Sequence, residues 1–158
     1  MNIYAAQQSI VAQLQSAFIA LGVRWIAADL PEAQNQYQFA VPNENVFVIY
    51  HGSTATPSIS TNVIAQERKI SFNVEIYSRS LYDQNGVTTI KDVSEQVLIG
   101  FEPTNCHRLY LIKDDLSITD DRIWAHVLQF ECETMLIQKD ETEPIVIPSF
   151  QGLVDNDN

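Results

Sequence analysis

The chain has 158 residues, 46% hydrophobic and 18% charged, enough for one globular domain that buries about 70% of the surface its unfolded chain exposes. Nine Lys and Arg against twenty Asp and Glu, a net charge of −11, exclude the broad basic stripe with which proteins grip nucleic-acid phosphates. No apolar run approaches the ~18 residues of a membrane span, and the N-terminal MNIYAAQQSIVAQ lacks the basic and apolar regions of a signal peptide.

The first element reads as a helix. Ile3, Ile10, Val11, Leu14, Phe18 and Leu21 recur at three- and four-residue steps, with Gln7, Gln8, Gln13 and Gln15 between them, which is one apolar stripe with a polar back. Gly22 suits the left-handed position that ends it. Val23 to Ile26 reads as a short strand or an extended link, and Pro31 to Gln38 as a polar turn. Val46 to Tyr50 is a continuous apolar run, expected as a strand covered on both faces or nearly so.

Gly52 to Gln66 is rich in Ser, Thr and Asn, is broken by Pro57 and has little periodicity. A loop of that length inside a compact domain is usually functional or disordered, and this one is the clearest candidate for a protruding arm. Ile70, Phe72, Val74 and Ile76 then alternate with Lys69, Ser71, Asn73, Glu75 and Tyr77, a strand with one apolar and one wet face. After the turn at Asp83 to Gly86, a second helix carries Ile90, Val93, Val97, Leu98 and Phe101 on one stripe, and Pro103 bars its continuation. Leu109 to Ile112 and Ile123 to Ile137 read as the third and fourth strands. The pairs Asp114-Asp115 and Asp120-Asp121 are expected in the turns between them.

The expectation is therefore an α+β domain in the order α-β-β-α-β-β. It has a mainly antiparallel sheet of about four strands and both helices on one face. The domain spans 1–139. Residues 140–158 form an acidic, loosely held tail, in which Ile145-Val146-Ile147 offers an optional edge strand. From Gln138 onward there are five acids and one Lys.

Tests for chemistry fail on spacing. Cys106 and His107 are adjacent, so on a strand they point to opposite faces. His126 and Cys132 would lie ~20 Å apart along one strand, unlike the short ligand pairs of zinc sites. Two cysteines in a chain this long fit reduced thiols, with one disulfide possible. His51-Gly52-Ser53 lacks the second glycine of a nucleophile elbow, and no phosphate-binding glycine pattern occurs. Neither a catalytic site nor a cofactor or metal site is expected. A hydrolase would require a pocket converging on His126 or His51 with a Ser or Asp in reach.

The run from Gln66 to Leu81, the helix ending Leu98-Ile99-Gly100-Phe101-Glu102-Pro103, and the segment Trp124 to Phe130 together resemble the Mu-like family of phage tail-terminator proteins. The resemblance covers approximately Ile10 to Ile137. It implies a structural protein that forms a hexameric ring, caps the growing tail tube and presents a surface to the head–tail connector. DNA passes through such a ring without sequence-specific binding. The expected location is the virion tail, after synthesis in the host cytoplasm.

A ring needs heterologous contacts, in which one patch meets a different patch on the next copy. Two surfaces are candidates for contacts with another copy or with the tube protein. One is the polar strand face with Lys69, Glu75, Glu131 and Glu133. The other is the arm with Thr54, Thr56, Ser58 and Ser60. Arg68, Lys69 and Arg79 form a locally basic group able to pair with acids of a neighbour. The alternative is another phage structural part, such as a head–tail joining protein.

Overall fold

The computed structural model describes residues 2–29, 44–119, 122–140, 142 and 144–147. Helix α1 (Ile3–Leu21) starts at Asn2, whose side-chain oxygen accepts the Ala5 N–H, and ends at Gly22 with φ 69°. That left-handed residue returns its N–H to the Phe18 and Ile19 carbonyls, satisfying groups a helix end leaves open. Ala6, Ile10, Leu14 and Phe18 face inward and are fully buried. Each of the three larger side chains contributes about 2 kcal/mol relative to exposure.

Five strands form one sheet in the order β1-β2-β3-β5-β4. They are β1 (Ile26–Ala28), β2 (Asn45–Ala55), β3 (Ala65–Ser78), β4 (Tyr110–Ile118) and β5 (Trp124–Ile137). Helix α2 (Val87–Leu98) lies between β3 and β4 in the chain. The β2–β3, β3–β5 and β5–β4 pairs are antiparallel. Strand β1 pairs in parallel with β2, so the sheet is mixed rather than antiparallel.

The expected four strands become five because Ile26–Ala28 is only three residues long, too short to show a period in the sequence. Its place is fixed from outside, by Gln15, whose Oε1 accepts the Ala27 N–H at 2.9 Å. The Pro31 to Gln38 turn lies outside the described residues.

Both helices pack on one sheet face. There α1 and α2 residues meet Val46, Val48, Ile70, Phe72, Val74, Ile76, Leu128, Phe130 and Cys132 in a single core. The alternation expected for β3 holds, with all four apolar residues fully buried. On the opposite face a smaller cluster joins Phe47, Tyr77, Ile123 and Ala125. The Phe47 and Tyr77 rings meet edge-on at 6.0 Å. The Val46-Phe47-Val48 run is thus covered on both sides.

Two expectations are corrected. Gly52 to Gln66 is not a loop throughout: β2 continues to Ala55 and β3 begins at Ala65. Its Ser- and Thr-rich strands escape period-two reading because neither face is apolar. Gly52, at φ 156°, sits at a bulge where the β2–β3 register shifts, which removes one more step of alternation. Asp114 and Asp115 are not turn residues but lie within β4. An edge strand tolerates charges that a central strand would reject. Asp120 and Asp121 lie outside the described residues.

Candidate functional site

The β2–β3 hairpin and the end of β5 pair as a three-stranded arm. Between Ser53 and Lys69, and from Glu133 onward, no described hydrophobic residue is buried. Its base is tied to the loop before β4, where His107 N–H donates to the Glu133 carbonyl at 2.8 Å and Thr134 Oγ1 to the Asn105 carbonyl at 2.9 Å, and further out it is held by its own polar groups. Thr56 N–H donates to the Glu67 carbonyl at 2.9 Å, and Thr56 Oγ1 accepts the Glu67 N–H at 3.2 Å. Ser58 Oγ accepts the Ala65 N–H at 3.0 Å and donates to the Ser60 carbonyl at 2.7 Å. Ser60 Oγ accepts the Asn62 N–H at 3.3 Å. Thr56, Ser58 and Ser60 therefore shape the tip. Thr54 stands exposed on β2.

The tip is apolar on its outside. Ile59, Val63, Ile64, Met135 and Ile137 are all exposed. Gln138 closes the arm by donating its N–H to the Ile64 carbonyl at 2.7 Å, while its Oε1 accepts the Ile64 N–H at 3.1 Å.

The polar sheet face is ordered where it meets carboxylates. Glu131 accepts from Tyr110 Oη at 3.1 Å and from Ser71 Oγ at 3.4 Å. Burial, followed by the Glu131 hydrogen bond, pushes the Tyr110 phenol up to about 12. Glu75 accepts from Tyr77 Oη at 2.7 Å. Lys69 is exposed, with Thr54 and Glu133 as its cross-strand Cα partners. Glu133 is exposed as well. Lys69, Glu131 and Glu133 therefore gather on one face of β3 and β5, and Glu75 lies further along that face.

The basic trio does not gather. Arg68 points to the other face and donates from Nε and Nη2 to Ser53 Oγ at 3.1 and 3.0 Å. Arg79 lies past the far end of β3, ten residues or about 33 Å from Lys69. Adjacency in sequence misled here because successive strand residues face opposite ways.

Two sheet edges are open among the described residues. β4 has no strand partner on its outer side among the described residues. β1 covers only Asn45–Phe47 of β2. Beyond it, the Val48 carbonyl accepts Gln7 Nε2 at 2.7 Å. Unpaired edges are templates for adding a strand.

Among the described residues no histidine ring is hydrogen-bonded to a serine or cysteine side chain. Asn73 Nδ2 lies 3.3 Å from His51 Nδ1, and neither ring nitrogen of buried His126 has a hydrogen-bond partner. Among the described residues no group of three or more His, Cys, Asp or Glu is placed to hold a metal ion. No helix among them is long and apolar enough to cross a membrane.

Sequence reasoning missed a cluster above His126. Lys91 Nζ on α2 lies 2.8 Å from Glu95 and 3.4 Å from Asp114. The four-residue spacing of Lys91 and Glu95 was the available signal. The link to Asp114 required the tertiary fold.

The family model described as Gp37 protein matches residues 10–150. The chain belongs to the Gp37 protein family. The matched stretch takes in the arm, both open edges and the start of the C-terminal segment. Among curated proteins none matches. Among solved structures, this Gp37-family chain resembles a chain from the virion of a native gene transfer agent particle. The TM-score is 0.58 at 11% identity, over 84% of this chain and 96% of that one. At that identity the likeness establishes the shared fold.

Proposed function

We propose that this chain is a structural protein of a phage-like virion, and within it the tail terminator: a ring of copies that caps the tail tube and ends its polymerisation. The observation that carries the reading is the fold likeness to a chain of a gene transfer agent virion, which spans nearly the whole of that chain. The Gp37 match over residues 10–150 and the resemblance of the Gln66–Leu81 and Trp124–Phe130 segments to tail terminators agree with it.

The physical features fit work by assembly rather than by chemistry. An arm with an apolar tip and two open sheet edges give one copy several unlike surfaces, as a closed ring requires. A net charge of −11 makes a wall along which DNA slides without sticking. The partners in this reading are five further copies, the tail tube protein and the head–tail connector. Lys69, Glu75, Glu131, Glu133 and the arm residues Thr54, Thr56, Ser58 and Ser60 are the contact candidates. Arg68 and Arg79 act at separate places rather than as one patch.

Deleting the gene from a producing phage or prophage tests the reading. Tails of uncontrolled length are expected by electron microscopy. Normal tails that fail to attach to heads would instead indicate a head–tail joining protein.

A further inference from the structure

Two apolar surfaces of this chain lie uncovered and match each other. One is the segment Ile145-Val146-Ile147, 86%, 80% and 84% exposed. These are three β-branched residues, which favour extended backbone, and they are bounded by Pro144 and Pro148. The other is the outer half of β4, where Leu116 and Ile118 are 48% and 55% exposed. They lie on the helix side of the sheet, opposite His126 and Trp124 of β5. This edge has no strand partner among the described residues. Ile145 and Ile147 are two residues apart, as are Leu116 and Ile118. A strand laid along β4 therefore puts both isoleucines beside both apolar residues of the edge.

The chain cannot make this contact with itself. The tail leaves the sheet after Ile137, at the arm. The positions opposite Leu116 and Ile118 lie eleven and thirteen residues back along β5, about 36 and 43 Å away. The eight residues from Ile137 to Ile145 span at most about 29 Å fully extended. Neither strand direction brings both isoleucines to the edge. The donor and the acceptor are thus far apart on one molecule, so a contact between them joins different copies head to tail.

We infer that residues Ile145–Ile147 of one copy add as a short strand to the outer edge of β4 of the next copy. The acceptor edge is prepared for an apolar partner despite its acids. Asp114 is paired with Lys91 at 3.4 Å and Asp115 with Lys113 at 3.1 Å. The donor follows Asp140, Glu141 and Glu143, so the remaining long-range repulsion is between acidic chains, and added salt tightens the contact. The inference rests on the assembly reading only in requiring that copies of this chain meet.

Sedimentation of the full chain at rising concentration, in low and in high salt, tests it. Self-association strengthened by salt is expected. Ile145→Asp/Ile147→Asp removes the donor and Leu116→Lys/Ile118→Lys removes the acceptor. All four side chains are exposed, so the fold survives, as circular dichroism will report. Each double variant alone should associate about a hundredfold more weakly or worse. Mixed together they retain one donor and one acceptor, and should form a 1:1 pair that grows no further.

A wild-type chain that stays monomeric in every condition overturns the inference. So do variants that associate like wild type, or a mixture that fails to pair. The capping reading fails separately. If gene deletion leaves tail length normal while the mixture pairs, capping falls and strand addition stands. If deletion releases tail length but the donor variant still assembles and controls it, strand addition falls and capping stands.

Discussion

The Lys91 ammonium on α2 lies 3.4 Å from the Asp114 carboxylate on β4. The same group lies 2.8 Å from Glu95 one turn along its own helix, so one cation ties the helix to the outermost strand. Its side chain is only 18% exposed, which shields the cluster from salt better than a surface pair. The hydrogen bond with Glu95 is the largest cause of a raised Lys91 pKa, and Asp114 adds to it.

Lys91→Met is expected to cost about 1 kcal/mol in urea unfolding and to quicken amide exchange in β4 while leaving β3 unchanged. The sign of the pH effect follows from the raised pKa. The contribution is complete below the ordinary lysine value of 10.5 and is lost as pH climbs past it. Lys91→Met should remove that alkaline loss. Equal alkaline slopes in the two proteins would show that Lys91 does not tie β4 down.

The sheet core was legible in the sequence because β3 alternates Ile70, Phe72, Val74 and Ile76 under two helices, and a period-two signal marks a sheet with one covered face. The arm was legible as a place but not as strands, since Ser53, Thr54, Gln66 and Glu67 meet water on both faces and leave no period to read. β1 was only partly legible: Val23 to Ile26 reads as a short strand or a link, and three residues carry too little pattern to place the strand at Ile26–Ala28. The polar sheet face proposed for contacts was half legible as a place. Lys69 and Glu133 fall on facing strands as their parity suggests, whereas Arg68 turns to Ser53 and Arg79 ends up far along the sheet. The open edges depend on strand order, which no local pattern encodes.

His126 is buried, and both ring nitrogens lack a hydrogen-bond partner. Burial is the main cause that lowers its pKa. Lys91 lowers it further, while Asp114, Glu95 and Asp115 act in the opposite direction. A base with a depressed pKa folds best when neutral. Its contribution is full above the ordinary value of 6.5 and is lost as pH falls through the folded value. His126→Phe should leave stability near pH 8 within about 1 kcal/mol and flatten the loss between pH 7 and 5. An unchanged acid slope would assign that loss to other groups.

Gly86 is required by space rather than by backbone angle. Its φ is −78°, but an added Cβ would stand 2.6 Å from the Leu81 carbonyl oxygen and 2.8 Å from Tyr82 N. Those backbone atoms cannot rotate away. The same loop supplies the carbonyls of Ser80 and Leu81 that accept the Val87 and Thr88 N–H groups at 3.0 and 3.1 Å, capping α2. Gly86→Ala should cost about 2 kcal/mol and fray the start of α2. Gly100→Ala meets open space at φ 84° and should cost about 1 kcal/mol. Thermal unfolding of the two variants checks the order, and a costlier Gly100 variant would refute the steric account.

Cys106 and Cys132 are free thiols in contact, and they should differ sharply in reactivity. Cys132 is fully buried on β5, and Cys106 is half-buried in the loop before β4. The Cys132 thiol is the largest cause of a lowered Cys106 pKa, by donating to it, and the positive charge of Arg68 lowers it further. The same contact, with burial, drives the Cys132 thiol upward. Thiolate is the reactive form. Iodoacetamide should therefore modify Cys106 in the native protein and reach Cys132 only on unfolding, as peptide mass mapping will read. Cys132→Ala removes the donor and should slow Cys106 alkylation several-fold, with Arg68→Gln having a smaller effect. Equal labelling of the two cysteines would sink the assignment. Because Arg68 sits on the arm, a neighbouring acid that captured its guanidinium would withdraw charge from Cys106. Slower alkylation in assembled than in dilute protein would then place the arm in the contact between copies, whereas an equal rate would leave Arg68 with Ser53 in both.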